Sequence, residues 1–132
     1  MNTVHASIGK QPYKTEIHTA TNSIIGDEPL ELGGQDLGFS PADLITASLA
    51  ACTCATLRMY ADRKAWNLTD VKVKVTFERD AVKNTSHFVR TVELVGELDE
   101  TQRQRLLTIA NSCFIHKTLT NPIEVTTELA TL

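Results

Sequence analysis

The chain is predicted to be an α+β protein, and three observations predict it. A capped, almost wholly apolar run from Ser40 to about Lys64 has the length and character of a core helix. Two runs after Trp66 alternate with period two: Val71, Val73, Val75 and Phe77 against Lys72, Lys74, Thr76 and Glu78, then Phe88 to Leu98. A second capping signal at Asp99 to Gln102 opens another helix, which ends near Asn111. With 132 residues, 42% hydrophobic and 22% charged, the expectation is one domain, residues 1–132, built on one core.

The elements follow in order. Tyr13 to His18 alternate as a half-buried strand does, and Thr21-Asn22-Ser23 supplies turn chemistry before Ile24 and Ile25, which predicts an N-terminal hairpin. Pro29, Gly33, Gly34 and Gly38 mark Gly26 to Phe39 as a loop, and the glycines lack the G-K-[ST] or G-x-x-G continuation of a phosphate cradle. Ser40-Pro41-Ala42-Asp43 gives a serine N-cap, proline at the first helical position and a carboxylate at N3. From Leu44 to Met59 the helix has almost no polar stripe until Arg58, so it is expected to be buried all round. Its Ala, Ser and Thr content between 46 and 56 admits another backbone closely, and a homodimer that wraps the helix is the expected solution. The two alternating runs, joined by a polar turn at Lys83 to Ser86, predict an antiparallel hairpin. After Cys113 a short helix over 114–119 is expected to stop at Asn121-Pro122, with Ile123 to Leu129 as a closing strand.

A net charge of -3 and a pI near 5.8 argue against nucleic acid or an anionic membrane as the main partner. They favour a small or apolar substrate. The first eleven residues show neither a signal-peptide nor a transit-peptide pattern, so a cytoplasmic location is expected. The longest uncharged apolar run, Leu44 to Leu57, is 14 residues interrupted by Thr46, Ser48, Thr53 and Thr56, and reads as no membrane segment.

Chemistry concentrates in the cysteines. In a reducing compartment a disulfide is more plausibly transient and catalytic than structural. Cys52 lies inside the long helix and Cys113 at a helix break. If they meet, they make a thiol site. His116, three residues beyond Cys113, is in reach of that cysteine on a helix and is a possible auxiliary group, although an exposed histidine in a turn is the plainer reading. Cys54, two residues from Cys52, points about 200° away around the helix and is expected to be core filler. Arg58 and Arg63 are expected in surface or dimer ion pairs, and Trp66 as a packing anchor.

The run Gly26-Asp27-Glu28-Pro29, Gly33-Gly34-Gln35-Asp36-Leu37-Gly38-Phe39-Ser40-Pro41-Ala42-Asp43-Leu44, then Ala47-Ser48-Leu49-Ala50-Ala51-Cys52-Thr53, resembles the OsmC/Ohr family of osmotically inducible and organic-hydroperoxide-resistance proteins. Leu57-Arg58-Met59-Tyr60-Ala61 continues that block, and Cys113-Phe114-Ile115-His116-Lys117-Thr118-Leu119 is similar to the family's second cysteine motif. The resemblance implies an OsmC-like fold, with antiparallel sheets wrapped around long central helices in an intertwined homodimer. It also implies a two-cysteine reduction of organic, lipid-like hydroperoxides, with Cys52 as the peroxidatic and Cys113 as the resolving residue. No cofactor is implied, and an external dithiol serves as reductant.

The chain departs from the family pattern at two places. Family peroxidases use an arginine from the N-terminal half to activate the thiol and a glutamate after the helix-start proline to orient it. Here that position is Ala42, Asp43 lies about 100° further round the helix, and no arginine precedes Arg58. Lys10, Lys14 or Lys117 are candidates to supply positive charge across the dimer, and the sequence does not choose among them. The alternative reading is therefore a non-catalytic small-molecule-binding module. A zinc site from Cys52, Cys54, Cys113 and His116 has the right count, but a C-x-C in a helix sends its thiolates to opposite faces, so no metal is expected.

Overall fold

The computed structural model describes residues 1–131. In order it contains β1 (His5–Ser7), β2 (Thr15–His18), β3 (Ser23–Gly26), α1 (Pro41–Lys64), β4 (Asn67–Asp80), β5 (Thr85–Glu97), α2 (Glu100–Ala110) and α3 (Phe114–Thr120). A short 3-10 turn at Leu30–Leu32 lies between β3 and α1. The described residues form two compact units, one of residues 1–47 with the hairpin tip 79–86, the other of residues 48–78 and 87–131.

The first unit carries an antiparallel sheet in the order β1-β2-β3, with Ile17 opposite Ile24 and Glu16 opposite Ile25. The expected hairpin is β2–β3. β1 adds a third strand that its short His-Ala-Ser sequence does not announce. The loop that follows is organised by Asp27, a buried carboxylate. Its Oδ1 accepts from the N–H of Tyr13 (3.1 Å) and Glu28 (2.7 Å), and its Oδ2 from the N–H of Gln35 and Leu37 (both 3.2 Å). Gly33, at φ 90°, closes the 3-10 turn in a conformation that disfavours side chains. The helix start is a reciprocal capping box: Asp43 N–H donates to Ser40 Oγ (3.0 Å) and Ser40 N–H to Asp43 Oδ2 (3.1 Å).

β4 and β5 form the two-stranded hairpin, of which the strands up to Glu78 and from His87 belong to the second unit and the tip to the first. Its turn falls at Ala81 to Asn84, earlier than expected. The Asp80 carboxylate accepts from the N–H of Val82 and Lys83 (both 3.0 Å), Asn84 takes φ 55°, and Thr85 and Ser86 are thereby released into β5. Phe77 and Phe88 stack with ring centroids 4.7 Å apart. α2 begins with the expected box, Asp99 accepting from Gln102 N–H (2.8 Å) while Gln102 Oε1 accepts from Asp99 N–H (2.9 Å). The core unites Leu57 and Ala61 of α1, Leu68 of β4, and Leu106 and Ala110 of α2, with Trp66, Val92, Leu94 and Ile109 packed around them. Trp66 meets Tyr60 edge to face at 5.6 Å, as an anchor does, and Arg58 pairs with Asp62 at 2.7 Å.

Within the single chain α1 is buried along one line, Leu49, Thr53, Leu57 and Ala61, while Ala51, Ala55 and Met59 are exposed, Met59 by 63%. One hairpin and two short helices are too small to cover a helix of 24 residues. By length and composition α1 would also pass for a membrane span, with a best-window mean hydropathy of 1.3. One expectation is corrected: Ile123 to Leu129 is exposed and pairs with no strand among the described residues. Its alternation is local, whereas a strand requires an edge to pair with.

Candidate functional site

Cys52 and Cys113 come together. Cys52 projects from the middle of α1, and Cys113 is the N-cap of α3, reached by a two-residue turn at Asn111 and Ser112 after α2. That turn is tight because Asn111, Ser112 and Cys113 bond back to the carbonyls of Thr108, Ile109 and Ala110 (3.1, 2.8 and 3.3 Å). Cys113 is fully buried and Cys52 partly so, and both are free thiols.

Partial burial by itself pushes the Cys52 thiol up. The opposing groups are the Cys113 thiol, the Ile115 N–H, the Thr56 hydroxyl one turn along α1 and the Phe114 N–H, and together they bring the pKa below the ordinary value. Each of these four donors favours the thiolate, and none is a charged side chain. Neutral donors from α1 and from the first turn of α3 thus surround the sulfur.

Cys54 behaves as expected. It faces β4, its Sγ 3.9 Å from the Val71 carbonyl, and burial followed by the negative charge of Asp70 raises its pKa. It is therefore parted from Cys52 and Cys113. Among the described residues no group of three or more His, Cys, Asp or Glu side chains is placed to hold a metal ion.

His116 is bonded to Arg90. Its Nδ1 lies 3.1 Å from Arg90 Nη2, and since a guanidinium only donates, Nδ1 is the acceptor and the imidazole proton sits on Nε2. Burial first and the Arg90 charge second hold its pKa below the ordinary 6.5. Arg90 also donates through Nη1 to Thr53 Oγ1 (3.1 Å) and through Nη2 to Asn111 Oδ1 (3.0 Å). Thr53, fully buried beside Cys52, is satisfied twice over because its hydroxyl donates to the Leu49 carbonyl (2.7 Å).

Arg90 is not among the candidate cations that the sequence offers, which are Lys10, Lys14 and Lys117. Its signal was parity: Phe88, Arg90, Val92 and Leu94 occupy the half-buried face of β5, so this arginine sits where the alternation calls for an apolar residue.

The family model for OsmC-like proteins matches residues 33–128, a stretch that contains α1, both cysteines and Arg90. The chain belongs to the OsmC-like family. Solved structures agree in fold. A candidate osmotic stress induced and detoxification response protein of Psychrobacter arcticus superposes with a TM-score of 0.78 at 23% identity, over 89% of this chain and 88% of that one. An OsmC-like protein of Mycoplasma pneumoniae gives 0.76 at 20%, over 90% and 86%. The organic hydroperoxide resistance protein OhrB of Bacillus subtilis gives 0.62 at 20%, over 91% and 90%. No curated protein sequence matches. This OsmC-like chain thus has the α+β fold expected of it.

The first unit holds a second feature, an open cavity of about 450 Å³. Ile8, Tyr13, Ile17, Phe39 and Leu44 form its apolar walls, and Asp27 and Glu28 lie at its polar side.

Proposed function

We propose that this OsmC-like protein reduces organic hydroperoxides with a thiol pair, Cys52 as the attacking and Cys113 as the resolving residue. The observation that carries the reading is the Cys113 thiol directed at a Cys52 sulfur whose pKa is lowered. A thiolate attacks the terminal peroxide oxygen, the O–O bond breaks, and the alkoxide takes up a proton and leaves as an alcohol, with Cys52 left as a sulfenic acid. The Cys113 sulfur then attacks the Cys52 sulfur, water leaves, and a disulfide remains. An external dithiol reduces it in turn. A nearby second thiol matters because unresolved sulfenic acid proceeds under excess peroxide to the sulfinic state. The name of the B. subtilis OhrB relative supports a hydroperoxide as substrate class.

The working form is a homodimer. The exposed line Ala51, Ala55 and Met59 on α1 supports it, since the two alanines at i, i+4 spacing let a second helix or sheet approach closely and Met59 adds an exposed apolar side chain to bury. Three free cysteines suit a reducing, cytoplasmic setting.

Steady-state consumption of cumene hydroperoxide in the presence of a dithiol tests the reading. Cys52→Ser is expected to abolish turnover and Cys54→Ala to leave it intact. Equal activity of the parent and Cys52→Ser would reject it. A non-catalytic binding module is the second reading, favoured by the apolar cavity of the first unit and by Ala42 at the position where family peroxidases carry a glutamate. Absence of turnover together with saturable binding of an apolar ligand would select it.

A further inference from the structure

We infer that Arg90 is the positioning residue of the thiol pair: its guanidinium clamps the neighbour of Cys52 to the two residues that flank Cys113, and so holds the two sulfurs in register. The inference rests on Cys52 and Cys113 acting as a pair.

Three contacts make the clamp. On one side Nη1 donates to Thr53 Oγ1 at 3.1 Å, and Thr53 follows Cys52 in α1. On the other, Nη2 reaches Asn111 Oδ1 at 3.0 Å and His116 Nδ1 at 3.1 Å, two residues before and three residues after Cys113. The acceptors thus come from α1, from the α2–α3 turn and from α3, and the donor comes from β5. Among the described residues no salt bridge to Arg90 is present, and its three acceptors are a hydroxyl, an amide and an imidazole. Hydrogen bonds to a charged donor are stronger than neutral ones, and a planar fork fixes direction as well as distance.

The arrangement assigns each acceptor a task. Thr53 is buried and bonded to Leu49, so it gives the clamp a rigid anchor on α1. Asn111 is exposed at the turn, and Arg90 ties that turn down just before Cys113. His116, neutral with its proton on Nε2, ties down the first turn of α3, whose Phe114 and Ile115 N–H groups face Cys52. Cys113 makes no side-chain capping bond to α3, so the helix does not lock its own cysteine. Arg90 is not among the groups acting on the Cys52 thiol, and its effect on the reacting sulfurs passes through these neighbours.

Thiol–disulfide exchange with glutathione measures this positioning directly. In a Cys54→Ala chain, Cys52 and Cys113 transfer two electrons and two protons to glutathione disulfide, forming one S–S bond and releasing two reduced glutathiones. The equilibrium constant is the effective concentration of one thiol at the other. Arg90→Met is expected to lower it by about tenfold or more, the scale of losing charge-assisted hydrogen bonds, and Arg90→Lys by less because one contact can be remade. Circular dichroism checks that each variant is folded. Asn111→Ala, an exposed change that removes one acceptor, carries the test should Arg90→Met not fold, and its expected effect is a partial loss. A constant unchanged in folded Arg90→Met, or in Asn111→Ala where that variant alone folds, overturns the inference. Because the oxidant is glutathione disulfide, a shifted constant in a protein inert to hydroperoxides would keep the positioning role while rejecting the peroxidase reading.

Discussion

The Cys113 thiol faces the Cys52 sulfur from the N-cap of a helix whose first two N–H groups face the same atom. Local structure on each side makes this possible. On the α1 side, Thr56 lies one turn beyond Cys52 and turns its hydroxyl to the same sulfur. On the other side, a two-residue turn after the capped α2 delivers Cys113 into the interior. The groups that favour the Cys52 thiolate are thus neutral donors rather than a charged side chain.

Removing one of those donors has a definite sign. The rate of iodoacetamide alkylation of Cys52, followed against pH in a Cys54→Ala chain, is expected to show a midpoint below the ordinary thiol value of 9.0. Cys113→Ala, which deletes the thiol donor, is expected to move it upward. An unmoved midpoint would mean that Cys113 does not act on Cys52.

His116 gives a second titration. Its C2 proton resonance is expected to titrate below 6.5, because burial and then Arg90 disfavour the imidazolium. Arg90→Met is expected to raise that midpoint. Since the folded pKa is the lower one, the histidine's contribution to stability is full above 6.5 and declines as pH falls through that value toward the folded one. A midpoint at or above 6.5 in the parent would contradict the assigned Arg90 contact.

Asp27 predicts an acid-sensitive loop. Burial raises its pKa, but four backbone N–H donors outweigh this and hold the carboxyl below its ordinary 3.8. Its stabilisation is therefore present above 3.8 and lost as pH falls through the lower folded value. Asp27→Asn presents an amide N–H₂ to backbone donors, leaving some of them unpaired. Thermal melts are expected to show Asp27→Asn less stable than the parent at pH 7, with the gap narrowing in strong acid. Equal melting at pH 7 would remove Asp27 as the organiser of the loop.

The two sides of α1 predict opposite phenotypes. Leu57, fully buried, is expected to cost about 2–5 kcal/mol on truncation to Ala, read by denaturant titration. Ala55→Arg, on the exposed line, is expected to leave a folded chain that runs as a monomer in light scattering. A dimeric Ala55→Arg protein would place the interface elsewhere.

The parts legible in the sequence are those whose causes are local. Ser40 with Asp43 and Asp99 with Gln102 announce both helix starts within four residues, and both boxes form. Strand alternation placed β4 and β5, and 200° of helix separated Cys54 from Cys52. What stayed hidden depends on distant partners. Arg90 acquires meaning only when three other elements supply acceptors, and Asp27 only when Tyr13, Gln35 and Leu37 turn their N–H groups toward it. Ile123 to Leu129 shows the converse error, a strand pattern that pairs with no strand among the described residues.

The most direct test of the central claim is peptide mapping of the Cys54→Ala protein after a single equivalent of cumene hydroperoxide. The account predicts a Cys52–Cys113 disulfide in the parent sequence at the other positions, and a dimedone-trapped sulfenic acid at Cys52 when Cys113 is replaced by Ser. Recovery of both thiols in reduced form, with the peroxide unconsumed, would contradict it.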